Sequence, residues 1–204
     1  MAARKYEQRL RAEAAEQTRR RILEAAYERM RTAPAEPVAV DRIAQMSGVA
    51  RSTVYLIFGS RAGLFDAIGQ DLLERGGFDR LLRAVSHPDA REALRGGIRG
   101  GVSMYAANRD VLRGLFSMAS LDADAVGGAV RKMERGRAEG MAQLAQRLDD
   151  HHYLRPSVNA DEATDFLCLL TSFDAFDLLH TGRALSIDET ADRLIALAER
   201  SLCR

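Results

Sequence analysis

The sequence predicts an all-α protein: an N-terminal three-helix unit of helix-turn-helix type, then a larger helical unit, about nine helices in all. Three observations lead there. Pro occurs only 4 times in 204 residues that are rich in Ala, Leu, Arg and Glu, a composition that favours helix. Apolar residues recur at helical spacing, and no segment alternates as a half-buried strand does. Near the N-terminus, two short helical segments are separated by a lone glycine, Gly48.

The first helix contains "TRRRILEAAYERMRT", which puts Ile22, Leu23, Ala26, Tyr27 and Met30 on one face. Residues 2–17 hold no Gly or Pro, so it can begin much earlier, and Pro34 and Pro37 end it. The second helix, "DRIAQMS", stops at Gly48, which suits a tight turn needing positive φ. The third, "RSTVYLI", turns Val54 and Phe58 inward and is broken by Gly59-Ser60. Ser60 is placed to cap the fourth, "RAGLFDAIGQDLLERG". A glycine-rich helix is expected from Pro88 to about Asn108, then a short piece, "RDVLRGLFSMAS", and a long helix from about Asp122 to Asp150. After the loop "HHYLRPSV", the apolar run from Asn159 to Gly182 reads as one helix capped by Asn159. Ser186 and Glu189 form a capping box for the last helix. The domain boundary is placed between residues 64 and 65, with the fourth helix straddling it.

Composition excludes several classes. The hydrophobic share of 47% and charged share of 29% are those of a soluble globular chain. The polar start has no signal-peptide core, and no apolar run approaches the roughly 18 residues of a membrane span. Cys168 and Cys203 lack zinc spacing, so a reduced, cytoplasmic setting is expected. His87, His151, His152 and His180 include no i, i+4 pair, and no serine sits in a G-x-S-x-G context. No enzyme activity, metal or cofactor is expected. Net charge is +1, but residues 1–64 carry 12 Lys and Arg against 7 Asp and Glu, whereas the remainder carries 18 against 22. A basic end facing a polyanion produces that asymmetry, and so does a solvated charged helix.

The third helix carries the chemistry. A helix this short needs neighbours behind it, and Ile43, Ala44, Val49, Val54 and Phe58 supply a small core. Arg51, Ser52, Thr53 and Tyr55 are left on its polar side. The DNA major groove admits one α-helix, whose N-terminal residues reach base edges. Arginine bonds guanine O6 and N7 together, Ser and Thr reach bases or phosphates, and the Thr53 methyl suits a thymine methyl. Tyr55 can hold a phosphate, and Arg61 stands where a helix N-terminus and a cation hold another, with Arg42 as a further candidate. On the residues alone, a solvated Arg-Ser-Thr face is an equal reading.

"IAQMSGVARSTVYLIFGSRAGLF" resembles the DNA-binding domain of the tetracycline-repressor (TetR) family of bacterial transcriptional regulators. The likeness rests on Ile43-Ala44, Gly48-Val49, Thr53, Tyr55, Phe58, Ser60-Arg61 and Leu64-Phe65, with "RRRILEAAYERM" resembling the family's first helix. It implies that Arg51, Ser52 and Thr53 face bases or nearby phosphates and that Tyr55 and Arg61 hold the backbone of double-stranded DNA. It further implies a homodimer and a small-molecule effector pocket in the C-terminal domain, hence a ligand-responsive repressor on a palindromic operator. Ala39, Ala50, Leu56 and Ile57 depart from the family's usual polar residues, which suggests fewer phosphate contacts. Arg4, Lys5, Arg9, Arg11 and Arg19 to Arg21 could compensate, or form a solvated terminus. The departures also motivate an alternative: a ligand-binding or protein-interaction module with a weakened DNA head.

Beyond residue 75 the likeness is architectural. The last two helices are the candidates for dimerisation, the final one through Ala191, Leu194, Ile195, Ala198 and Leu202, although an intramolecular core would use the same stripe. Tyr105, Phe116, Met118, Met133, Met141, Phe166, Leu170 and Phe173 are candidate pocket residues, since soft and flat side chains suit an apolar ligand; plain core is the competing reading. Asp174 and Asp177 are a polar pair inside an apolar helix, and Gly96-Gly97 and Gly100-Gly101 permit close helix approach or a bend.

Overall fold

The computed structural model describes residues 2–33 and 36–204, with side chains from residue 6 onward; Pro34 and the side chains of Arg4 and Lys5 lie outside the described residues. Among these, the chain is helical throughout: α1 (Ala2–Thr32), α2 (Val40–Ser47), α3 (Arg51–Phe58), α4 (Arg61–Gly76), α5 (Phe78–Val85), α6 (Ala90–Ala119), α7 (Ala125–Asp150), α8 (Ala160–Leu170), α9 (Phe173–Asp177), a π turn (Leu178–Gly182) and α10 (Ile187–Leu202). They form two compact units. One takes the chain up to Gln70 together with Arg113–Val130; the other takes Asp71–Leu112 and Arg131–Arg204.

In the first unit, α1 contributes the predicted stripe. Ile22, Leu23, Ala26, Tyr27 and Met30 are buried, whereas residues 6–17, which have no such periodicity, are exposed. Ile43, Ala44, Val54, Leu64, Phe65 and Ile68 complete this core. Gly48 ends α2 at φ 66° and Gly59 ends α3 at φ 75°, the left-handed region that favours glycine. Ser60 caps α4 by accepting from the Gly63 N–H at 3.0 Å. Gly63 is required for a different reason. A Cβ there would lie 2.1 Å from the Phe58 carbonyl oxygen, so the first turn of α4 can pass the end of α3 only without a side chain. Gly114 packs tightly, though less so, against α1, where a Cβ would meet the Met30 backbone oxygen at 3.2 Å.

The second unit differs from the sequence reading in three places. Residues 78–85 form a helix, α5, that the reading left unassigned. Its partners are the paired glycines of α6: a Cβ on Gly96, Gly97 or Gly100 would come within 3.0 Å of Ala84, Val85 or Leu81 side-chain atoms respectively. The expected stop near Asn108 is a kink inside one continuous helix. Asn108 leaves helical geometry (φ −125°, ψ 15°) and its amide donates to the carbonyls of Leu72, at 3.2 Å, and Met104, at 3.3 Å. Conversely, the single apolar helix expected over 159–182 breaks at Thr171-Ser172. The Thr171 hydroxyl donates back to the Leu167 carbonyl at 2.6 Å, and Ser172 opens α9 by accepting from the Ala175 N–H at 3.1 Å. Side chains that bond the local backbone in this way compete with helix continuation. The capping boxes at Asn159–Glu162 and Ser186–Glu189 are both formed. The stripe Ala191, Leu194, Ile195, Ala198 and Leu202 is buried within the single chain.

Candidate functional site

The surface built by α2 and α3 follows from a small core. Val54 is buried, which fixes the roll of α3 and turns Arg51 and Ser52 to solvent, with Thr53 and Tyr55 partly covered. Arg19 of α1 lies over the Phe58 ring at 5.6 Å and holds the far end. Neither α2 nor α3 has a side-chain cap, because Ala39 and Ala50 occupy the N-cap positions with extended backbone. Their first amides therefore remain open to an outside acceptor such as a phosphate.

Arg51 runs along α3 above Tyr55, its guanidinium 5.5 Å from the ring centre. It donates to the Tyr55 hydroxyl at 3.3 Å and to the Asp41 carboxylate at 3.0 Å. Those bonds, Tyr55's first and then the charge of Asp41, raise the arginine's pKa above its ordinary value. Both members of the ion pair are well exposed, so water and salt screen it and a stronger acceptor can replace it. Arg42 is exposed and donates to Gln45 at 2.7 Å. Arg61 is directed differently: it pairs with Asp122, donates to the Val38 carbonyl at 3.2 Å and lies 5.2 Å from the Phe65 ring centre. Burial opposes the Asp122 charge, but the bonds from Arg61 and the Ala125 amide outweigh it and lower its pKa. Two residues here escaped the sequence reading as site members. Asp41 lies in the first turn of α2, ten residues before the arginine it pairs with, a separation that no local pattern marks. Leu56, seen only as a departure from a familiar pattern, is 85% exposed on the outer side of α3.

In the second unit, α6, α7, α8 and α9 surround a cavity of about 60 Å³. Tyr105, Met141 and Leu170, three of the candidate pocket residues, line it. Phe173 packs edge-on to Tyr105 with centroids 5.7 Å apart. Phe166 is exposed, Met133 is half-buried and lies outside the lining, and Phe116 and Met118 belong to the first unit. The lining also includes Gly97, Gly101, Arg137, Thr171 and Phe176. Nothing in the pattern "RKMERGRAEGM" distinguishes Arg137 from a surface arginine, so the sequence offers no signal for it, and the paired glycines predict a close helix approach or a bend rather than a cavity wall. Asp177 is buried and accepts from Arg109 at 2.9 Å and Thr181 at 2.7 Å, whereas Asp174 is exposed. Cys168 and Cys203 are free thiols. Among the described residues, no cluster of His, Cys, Asp and Glu is placed to hold a metal ion, and no helix is long and apolar enough to cross a membrane.

Residues 22–68 match the model of bacterial regulatory proteins, tetR family. The match opens at the first buried residue of α1 and closes within α4, so it spans the whole of α2 and α3. No curated protein matches the chain in sequence. Among solved structures, NalD of Pseudomonas aeruginosa, the secondary repressor of the MexAB-OprM multidrug efflux pump, aligns over 94% of this chain and 98% of its own, with a TM-score of 0.73 and 23% identity. The fatty acid degradation regulator FadR of Bacillus halodurans aligns over 88% and 93%, with a TM-score of 0.66 and 15% identity. The ketosteroid transcriptional regulator KstR2 of Mycobacterium tuberculosis aligns over 91% and 95%, with a TM-score of 0.63 and 17% identity. Residues 22–68 are thus a tetR-family DNA-binding domain, and the chain that carries them has the all-α fold of these solved regulators.

Proposed function

We propose that the protein is a cytoplasmic, ligand-responsive transcriptional repressor, not an enzyme, which binds a palindromic operator as a homodimer. The observation that carries this reading is the outer face of α3: Arg51, Ser52 and Leu56 stand free of the protein core on a helix whose roll is fixed by buried Val54. Arg51 exchanges Asp41 for a guanine edge, Ser52 and Thr53 bond bases or phosphates, and Leu56 meets a thymine methyl. Tyr55 and the uncapped amides of α2 and α3 hold phosphates, with Arg42 beside them. Arg61, tied to Asp122, orients the start of α4 towards the backbone.

One head covers few base pairs, so two copies related by a two-fold axis are needed, reading half-sites one helical turn, about 34–36 Å, or more apart. The last helices hold them together. Because the Ala191 to Leu202 stripe already closes the chain's own core, the pairing surface uses the apolar side chains left outside it: Phe166 and Leu169 on α8, Leu178 in the π turn, and Leu197 on α10, which are 46%, 68%, 65% and 40% exposed. An effector in the α6–α9 cavity favours a wider spacing of the two heads, with α4 as the lever, and weakens operator binding by its differential affinity for that state. Anisotropy with a fluorescent duplex at graded salt tests the DNA reading. Log affinity falls linearly with log salt, and one sequence outcompetes random DNA. Binding indifferent to salt and sequence would contradict it.

A further inference from the structure

The cavity lining includes the cation Arg137, and its guanidinium and the lining hydroxyls bond to the protein. Arg137 donates from Nε to both oxygens of Glu134, at 3.2 and 3.3 Å, and from Nη2 to the same carboxylate. Its Nη1 donates to the Cys168 carbonyl at 2.8 Å and to the Thr171 hydroxyl at 3.1 Å. The Thr171 hydroxyl in turn spends its proton on Leu167, and the Tyr105 hydroxyl donates to the Thr171 carbonyl at 3.1 Å. The Ser172 hydroxyl donates to Leu169 at 2.9 Å. No lining hydroxyl keeps a free donor, and each nitrogen of the guanidinium has an acceptor.

Charge points the same way. Burial raises the Tyr105 pKa well above its ordinary value, and the carboxylates of Glu134 on α7 and Asp174 on α9 push it further up while Arg137 pulls it down. Of the charged groups, Arg137 lines the cavity, and Glu134 is bonded to it from the same helix. A ligand carboxylate entering here would meet a guanidinium already neutralised, would have to displace Glu134, and would leave that side chain partly buried and unpaired.

We propose that Glu134 is a specificity determinant which closes Arg137 to anions, so that the cavity takes an uncharged, largely apolar effector. This rests on reading the cavity as the effector site. At about 60 Å³ it holds roughly two waters, so a ring-sized ligand enters only as the walls part. Gly101 is where space begins, since a Cβ there would meet nothing within 4 Å.

Two probes with the same ring system test the proposal on the full-length protein: N-phenyl-1-naphthylamine, which is uncharged, and 8-anilino-1-naphthalenesulfonate, which adds an anionic group. The wild type binds the uncharged probe with saturable fluorescence enhancement and the sulfonate about tenfold or more weakly. Gly101→Leu, which fills the cavity, removes the saturable signal and identifies its source. Glu134→Gln strengthens sulfonate binding about tenfold and changes the uncharged probe by less than about twofold, and the double variant Glu134→Gln/Arg137→Gln loses that gain. Circular dichroism confirms that each variant is folded before its binding is compared. Equal affinity of the wild type for both probes, or a folded Glu134→Gln variant with unchanged sulfonate binding, overturns the charge selectivity while leaving the effector site standing. Absence of saturable binding by either probe overturns the effector site itself, and the charge selectivity with it.

Discussion

The α2–α3 surface and the α6–α9 cavity handle polar groups in opposite ways. On the surface, the helix N-termini are uncapped, Arg51 is held by an exposed and replaceable acid, and Ser52 faces water. Around the cavity, Tyr105, Arg137, Thr171 and Ser172 all bond the protein itself. A surface with open donors suits a polyanion with many acceptors; a lining whose hydroxyl donors are spent, and whose cation already holds a carboxylate, suits a molecule that asks for none. Two recognition chemistries are thus separated by how each region satisfies its own hydrogen bonds.

The harshest way to break the contrast is to remove the support of the reading helix. Gly63→Ala drives a methyl into the Phe58 carbonyl and should cost about 3 kcal/mol or more, seen as a large drop in melting temperature with loss of DNA binding. Arg51→Ala should cost about 1–3 kcal/mol at one base pair and relax sequence preference, whereas Tyr55→Phe should weaken all duplexes alike; shift assays on matched and mismatched sites separate the two. Smaller changes probe helix ends and walls. Ala50→Ser supplies the missing α3 cap at a residue already extended (φ −71°, ψ 149°) and should stabilise by about 1 kcal/mol in a denaturant melt. Gly101→Ala should gain up to about 1 kcal/mol from helix propensity, while Gly96→Ala, meeting the Ala84 Cβ at 3.0 Å and its carbonyl oxygen at 3.4 Å, should forfeit that gain.

Acid sharpens the picture further. Asp89 is held below its ordinary pKa by the Glu92 amide and the Tyr153 hydroxyl, Glu189 by the Ser186 amide, and Asp122 by Arg61 against its own burial. Groups depressed on folding stabilise fully above their unfolded values, near pH 4, and lose that contribution as pH falls through the folded ones. Stability should therefore decline as pH drops below about 4, and Asp122→Asn should flatten that decline in melts run across the range.

Much of this fold was legible because short-range chemistry fixed it. The stripe from Ile22 to Met30, the glycines at 48 and 59 and the capping residues Ser60, Asn159 and Ser186 act on their own neighbours, and each appears where the pattern put it. What escaped depends on partners distant in sequence. The glycine pairs of α6 announced a close approach, but not that α5 makes it. "FDRLLRAV" is only eight residues long between Gly76-Gly77 and Pro88, too short for its periodicity to declare a helix. The Thr171-Ser172 break was invisible because apolar residues run on through it. Arg137 beside the cavity and Asp41 beside Arg51 are pairings across elements, which composition and periodicity do not encode.

The central claim is that α3 reads duplex DNA, two copies at a time. Selection of bound sequences from a pool of random duplexes tests it most directly. The account predicts enrichment of a palindrome whose half-site centres lie about 34–36 Å or more apart, with information lost at one position per half-site when Arg51→Ala replaces the wild type. No enrichment, or an enriched sequence without two-fold symmetry that Arg51→Ala selects equally well, would contradict it.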